Sequence, residues 1–170
     1  MAALSRLPAG FTMTIIGDGP CRHELQKLAS DLGVEPRVTW RGFQGLDATL
    51  AAMAQSGILV HPARVADDGN ADGTPQTILW AQAMGLPVVT TATGSIPDIV
   101  THTDSGVLVE ANDPNALADA VLGLVDADDF QEHLEHVVAP RVRARHSLDA
   151  VTSRLRATYE QAVMTFRADR

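Results

Sequence analysis

The residues with chemical potential in this sequence gather in a few short blocks. Gly17-Asp18-Gly19-Pro20 could cradle a phosphate, because a glycine loop running into a helix N-terminus offers backbone N–H groups to an anion. It lacks the full dinucleotide fingerprint, and Asp18 would repel phosphate. A tight strand-to-helix turn is therefore the plainer reading, with Gly19 as its candidate ligand contact. Asp68-Gly69-Asn70-Ala71-Asp72-Gly73 copies the first half of a calcium loop, yet the twelfth position, which needs a bidentate Glu, is Leu79. Asp126-Ala127-Asp128 has the form of a metal-holding Asp-x-Asp, but a helix end followed by the next N-cap explains it better. His133 and His136, flanked by Glu132 and Glu135, match no zinc-protease order and read as a solvated charged face. The most informative stretch is Asp72-Gly73-Thr74-Pro75 and the apolar run after it, through Trp80 to Gly85-Leu86-Pro87-Val88-Val89.

Alternating strands and helices must position these blocks. A β-rich run at Phe11–Ile16 leads into the glycine loop, and Leu25, Leu28, Ala29 and Leu32 then recur at i, i+3, i+4, i+7 before Gly33 ends the helix. A strand at Arg37–Trp40, a helix through Leu46, Leu50 and Met53, and an apolar strand at Gly57–Val60 follow. After an irregular Ala63–Gly73 stretch, Thr74–Met84 reads as helix, stopped by Gly85 and Pro87. Pro87–Thr90 and Gly106–Val109 are short Val/Leu runs of the kind buried on both faces of a sheet. Ser95 and Asp113 each precede a proline at a helix start and are expected to cap it through their side chains. From Asp126 onward only helices are expected, the last with an apolar stripe of Val151, Leu155, Tyr159, Ala162 and Phe166. Strands joined by helical crossovers imply an α/β fold with a doubly wound, Rossmann-like parallel sheet and C-terminal helices.

Composition bounds the function. The 170 residues suit one domain, and 45% hydrophobic residues can fill its core. Twenty-one acidic against thirteen basic side chains, a net charge of −8, exclude a general nucleic-acid binder. A single Cys21 forms no intrachain disulfide, and no apolar run reaches membrane-spanning length, so a cytoplasmic protein without an integral membrane segment is expected.

Ile15–Pro20, Asp72–Val89 and Gly94-Ser95-Ile96-Pro97-Asp98-Ile99-Val100 together resemble, in order and spacing, the donor-binding lobe of a retaining two-lobed (GT-B) glycosyltransferase of the family-4, group 1 kind. Trp40-Arg41-Gly42-Phe43 and Gly106–Val109 followed by Asp113-Pro114 agree, and the Asp68–Pro75 stretch is similar to enzymes of exopolysaccharide synthesis such as those of colanic acid. The resemblance places this lobe at 11–170, with closing helices from about 126, after an N-terminal extension at 1–10. It implies a UDP- or GDP-sugar as donor, transfer of a hexose with retained configuration, no cofactor and no metal. The partner implied is an acceptor-binding lobe, with location in the cytoplasm or peripherally at the inner membrane. Gly73 and Thr74 would approach the donor phosphate or sugar, and the loop carrying Phe43 would lie at the base.

Two departures from the family pattern matter. Its signature is a Glu, seven residues and a second Glu, one carboxylate for donor-sugar hydroxyls and the other for the ribose diol. Here the first is Asp72, which keeps the charge with a shorter reach, and the second is Trp80, which has one donor and no acceptor. Trp80 either packs on a helix face or stacks on the donor. The family's opening strand, whose loop supplies an Arg and a Lys to the diphosphate, has no counterpart in residues 1–10, where Arg6 is the lone cation. That strand would lie at the switch point, between the Phe11–Ile16 and Gly57–Val60 strands, so unpaired edges are expected there unless the two strands close on each other or another chain inserts a strand. The expected function is a donor lobe acting with a separate acceptor lobe; the alternative is a non-catalytic binding or scaffolding module.

Overall fold

The computed structural model describes residues 1–71 and 73–168. A 3-10 turn at Leu4–Arg6 precedes β1 (Met13–Ile16), α1 (Arg22–Asp31), a second 3-10 turn (Glu35–Arg37), β2 (Val38–Gly42), α2 (Leu46–Ala54) and β3 (Leu59–His61). The long loop after β3 leads to α3 (Gln76–Met84), β4 (Val88–Thr91), α4 (Ile96–Ile99), β5 (Val107–Val109) and α5 (Pro114–Gly123). The chain closes with α6 (Asp128–His133), a π-helical turn (Leu134–Val138), α7 (Ala139–His146) and α8 (Leu148–Ala168).

All strand pairs among the described residues are parallel, but they form two sheets. One pairs β1 with β2; the other has the order β3-β4-β5. β1 and β3 therefore each pair on one side only, at the two edges where the sequence predicts unpaired backbone. Burial follows pairing. β4, paired on both sides, is wholly buried, whereas Ile15, Ile16, Leu59 and Val60 keep partial exposure.

The main core lies on β4. Ile78 and Ala81 of α3 meet Met53 of α2, Val88 of β4, and Ile96 and Val100 around α4. Full burial of a side chain such as Ile78 contributes about 1.5–3 kcal/mol. Gly85 ends α3 in the left-handed conformation, φ 73°, with its N–H donating to Gln82 and the Leu86 N–H to Ala81. This paired arrangement satisfies the helix's last carbonyls and turns the chain into β4. A smaller cluster joins Leu4, Ala29 and Val34, so residues 1–10 pack into the body of the domain. A third joins Leu134, Val138 and Val142, seating the C-terminal helices on Ala83 of α3.

Two local expectations are corrected. Ser95 sits at the N-cap position of α4 without a capping bond, its hydroxyl donating instead to the Gly73 carbonyl. His133 is not simply solvated: its Nε2 lies 3.0 Å from Asp104 Oδ1, and Arg141 binds the other oxygen of the same carboxylate. Asp113 does cap α5, its Oδ1 accepting from the N–H groups of Asn115 and Ala116, each at 2.9 Å. The apolar stripe of α1 is only partly covered: Ala29 is buried, whereas Leu25, Leu28 and Leu32 stay exposed, and on α8 Leu155 and Tyr159 are exposed as well.

Candidate functional site

In an open parallel sheet, ligands bind at the carboxyl ends of the strands, where loops turn back into helices. Gly17 leaves β1 at φ 124°, a conformation reserved for glycine, and its N–H donates to the Gly42 carbonyl at 2.8 Å. That bond brings the Gly17–Pro20 turn to the end of β2. Within the turn, Asp18 Oδ1 accepts from the Gly19 N–H at 2.9 Å, and Oδ2 accepts from Arg22 Nη1 at 2.8 Å. The Gly19 amide and the Arg22 guanidinium hold the Asp18 carboxyl below its usual range, so it is ionised at neutral pH.

Arg22 also covers Gly42, whose φ is 61°; a Cβ built there would lie 3.6 Å from Arg22 Nη1. The next residue along the chain, Phe43, is 84% exposed. The Gln44 side chain folds back to donate to the Arg41 carbonyl at 2.7 Å.

At the end of the second sheet, the Ser95 hydroxyl bond to Gly73 brings the second and third motif blocks together across the carboxyl end of β4. Gly73 and Thr74 are exposed and Pro75 is buried, with α3 starting at Gln76. The N–H groups of the first turn of α3 thus follow directly on this exposed loop. Asp72 lies outside the described residues. Trp80 is partly buried and packs against the Met53–Ile78 cluster. Thr90 and Thr91 donate to the carbonyls of His61 at 2.8 Å and Ala63 at 2.6 Å, fixing the start of the loop that carries Arg64. Arg64, Thr91, Glu110 and Asp113 line a cavity of about 300 Å³ at the ends of β3, β4 and β5. Arg6 is committed elsewhere, to Asn115 and the Ala2 carbonyl.

The structure brings Gly19 to Phe43's loop, and Gly73 to Ser95. Sequence reasoning missed Arg22 and Arg64. For Arg22 a signal existed: Asp18 and Arg22 are spaced i, i+4 across the start of a helix. For Arg64, on an irregular loop, there was none.

Parallel strands, helical crossovers and glycine-bearing loops at the strand ends define one Rossmann-like lobe of a GT-B protein. The chain is similar in fold to Anabaena Alr3699/HepE, solved in complex with UDP, with a TM-score of 0.82 and 21% identity over 94% of this chain and 43% of that one. The family model of glycosyl transferases group 1 matches residues 1–127, and the chain belongs to that family. It is 32% identical over 130 residues to the GDP-mannose-dependent alpha-(1-6)-phosphatidylinositol monomannoside mannosyltransferase of Mycobacterium tuberculosis, covering 75% of this chain and 34% of that protein. WcaL of Escherichia coli, a glycosyltransferase named for colanic acid biosynthesis, is 31% identical over 135 residues, 74% of this chain and 33% of its own. The chain thus spans about a third of the length of these curated relatives. No helix among the described residues is long and apolar enough to cross a membrane.

Proposed function

We propose that this chain is the donor-binding half of a retaining glycosyltransferase that moves a hexose from a UDP- or GDP-sugar to a polysaccharide or glycolipid acceptor. Gly73 and Thr74 present peptide groups to the diphosphate or sugar, Asp72 accepts from sugar hydroxyls, and Gly19 and Phe43 border the base. No metal or other cofactor is required: electrostatic stabilisation of the departing diphosphate carries the chemistry. The acceptor-binding lobe is a separate structural unit, and the pair works in the cytoplasm, peripherally at the inner membrane.

The observation that carries this reading is the Ser95 bond to Gly73, which gathers two motif blocks separated by some twenty residues of core onto one exposed loop. Isothermal titration of the chain with UDP, GDP, UDP-glucose and GDP-mannose tests it. Saturable binding of at least one of them with a Kd of 1 mM or tighter is expected; absence of binding to all four overturns it.

Trp80 favours a second reading, a non-catalytic binding or scaffolding module. At the position where the resemblance calls for the ribose-binding carboxylate, an indole packs toward Met53 and Ile78. In that case sugar nucleotides fail to bind in the same titration, and reconstitution with an acceptor lobe yields no transfer.

A further inference from the structure

Arg22 stands where helix electrostatics disfavours it. It is the first residue of α1, and a cation there opposes the positive end of the helix dipole. Asp18 offsets that cost by accepting one hydrogen bond from Nη1, and in doing so fixes the guanidinium against Gly42. One donor edge of the guanidinium is then used. The opposite edge, the parallel Nε–H and Nη2–H pair, has no hydrogen-bond partner among the described residues, the side chain is 32% exposed, and the residue after Gly42 in the chain is the exposed Phe43. A residue that breaks a local rule, is held by a dedicated partner and keeps a two-pronged donor face open is arranged for a ligand with two adjacent acceptors.

We propose that Arg22 determines base specificity, reading O6 and N7 of a guanine stacked on Phe43, so that the donor is a guanosine-diphosphate sugar. The assignment rests on the donor-binding reading above and deepens it. Two arguments select a base edge rather than a phosphate. The ionised Asp18 carboxylate leaves the Asp18–Arg22 pair close to neutral, which suits an uncharged base and removes the net attraction a lone guanidinium would have for a phosphate. The open edge offers two parallel donors, which match the paired acceptors of guanine. Uracil presents each carbonyl beside an N–H donor or a C–H, and adenine replaces the O6 acceptor by an amino donor.

The test is titration of the chain with GDP, UDP, ADP and 7-deaza-GDP, for wild type, Arg22→Ala and Arg22→Lys, with thermal melting to verify that each variant is folded. Wild type is expected to bind GDP at least tenfold tighter than UDP or ADP, as one bidentate base contact allows. Arg22→Ala should weaken GDP tenfold or more and UDP less than twofold, and Arg22→Lys, a point charge without a fork, should lose nearly as much. Removing N7 should weaken binding to wild type and leave Arg22→Ala unchanged. Equal losses for GDP and UDP identify a phosphate contact and overturn the proposal, as does retention of GDP preference in Arg22→Ala or a wild type that prefers UDP. A wild type that binds no nucleoside diphosphate overturns the donor-binding reading and this assignment with it, whereas the other outcomes leave that reading standing.

Discussion

Replacing Trp80 with glutamate sets two effects of one side chain against each other. The indole is partly buried on the Met53–Ile78 cluster. A buried Trp removes about 150 Å² or more from water, which at about 25 cal/mol per Å² is worth about 4 kcal/mol. Two methylenes of the glutamate recover about 1.5 kcal/mol if they follow the same path. The net destabilisation expected is therefore about 2–3 kcal/mol, within the 5–15 kcal/mol or so that a domain commonly holds. In the opposite direction, the carboxylate restores the acceptor that the group 1 pattern places at this position. One charge-assisted hydrogen bond to a ribose hydroxyl, worth about 1.5–3 kcal/mol, tightens nucleotide binding roughly tenfold to a hundredfold. Denaturant unfolding reads the first effect as a lower midpoint at unchanged slope, and titration with GDP and UDP below the transition reads the second. An unchanged midpoint would refute the packing of the indole. Unchanged or weaker nucleotide affinity in a folded variant would refute placing the ribose beside position 80.

Gly85→Ala should cost about 1–3 kcal/mol, since the residue is left-handed and the new Cβ would lie 2.9 Å from Glu135 Cγ and 3.3 Å from its Cα; a melting temperature equal to wild type would contradict this. The Arg141 guanidinium, and after it His133, hold the Asp104 carboxyl below its ordinary 3.8, so its folded pKa is depressed. Its stabilising contribution is accordingly full above pH 3.8 and is lost as pH falls through the folded value. Asp104→Asn should lower stability at pH 7 and flatten the acid limb of the stability profile, and an acid limb as steep as wild type would show that the group carries no such linkage.

Much of the architecture was legible because it is written locally. Thr74–Met84 reads as helix and α3 occupies Gln76–Met84, stopped as expected by Gly85 and Pro87; that its buried side is Ile78, Ala81 and the polar Gln82 came from the structure. Asp113 before Pro114 capped its helix as the pattern predicts. Ser95 before Pro97 did not, although the local signal is the same, because the Gly73 carbonyl from a distant loop competes for its hydroxyl. The helical stripe of Leu25, Leu28 and Leu32 was equally readable, yet periodicity says which face is apolar and not whether anything covers it.

The sequence alone determined the order and type of most elements, the family resemblance, and where unpaired edges would arise, on β1 and β3, which each pair on one side among the described residues. These depend on periodicity, turn chemistry and motif spacing, each confined to a short stretch of chain. Tertiary structure alone decided the site's working contacts: Gly17 to Gly42, Ser95 to Gly73, Arg22 over Gly42, and the indole of Trp80 on the core. The physical reason is that such contacts join residues far apart in the chain, on loops at the strand ends and on the helices that follow them. Their meeting is set by how the crossover helices pack, and nothing in the neighbouring residues encodes it.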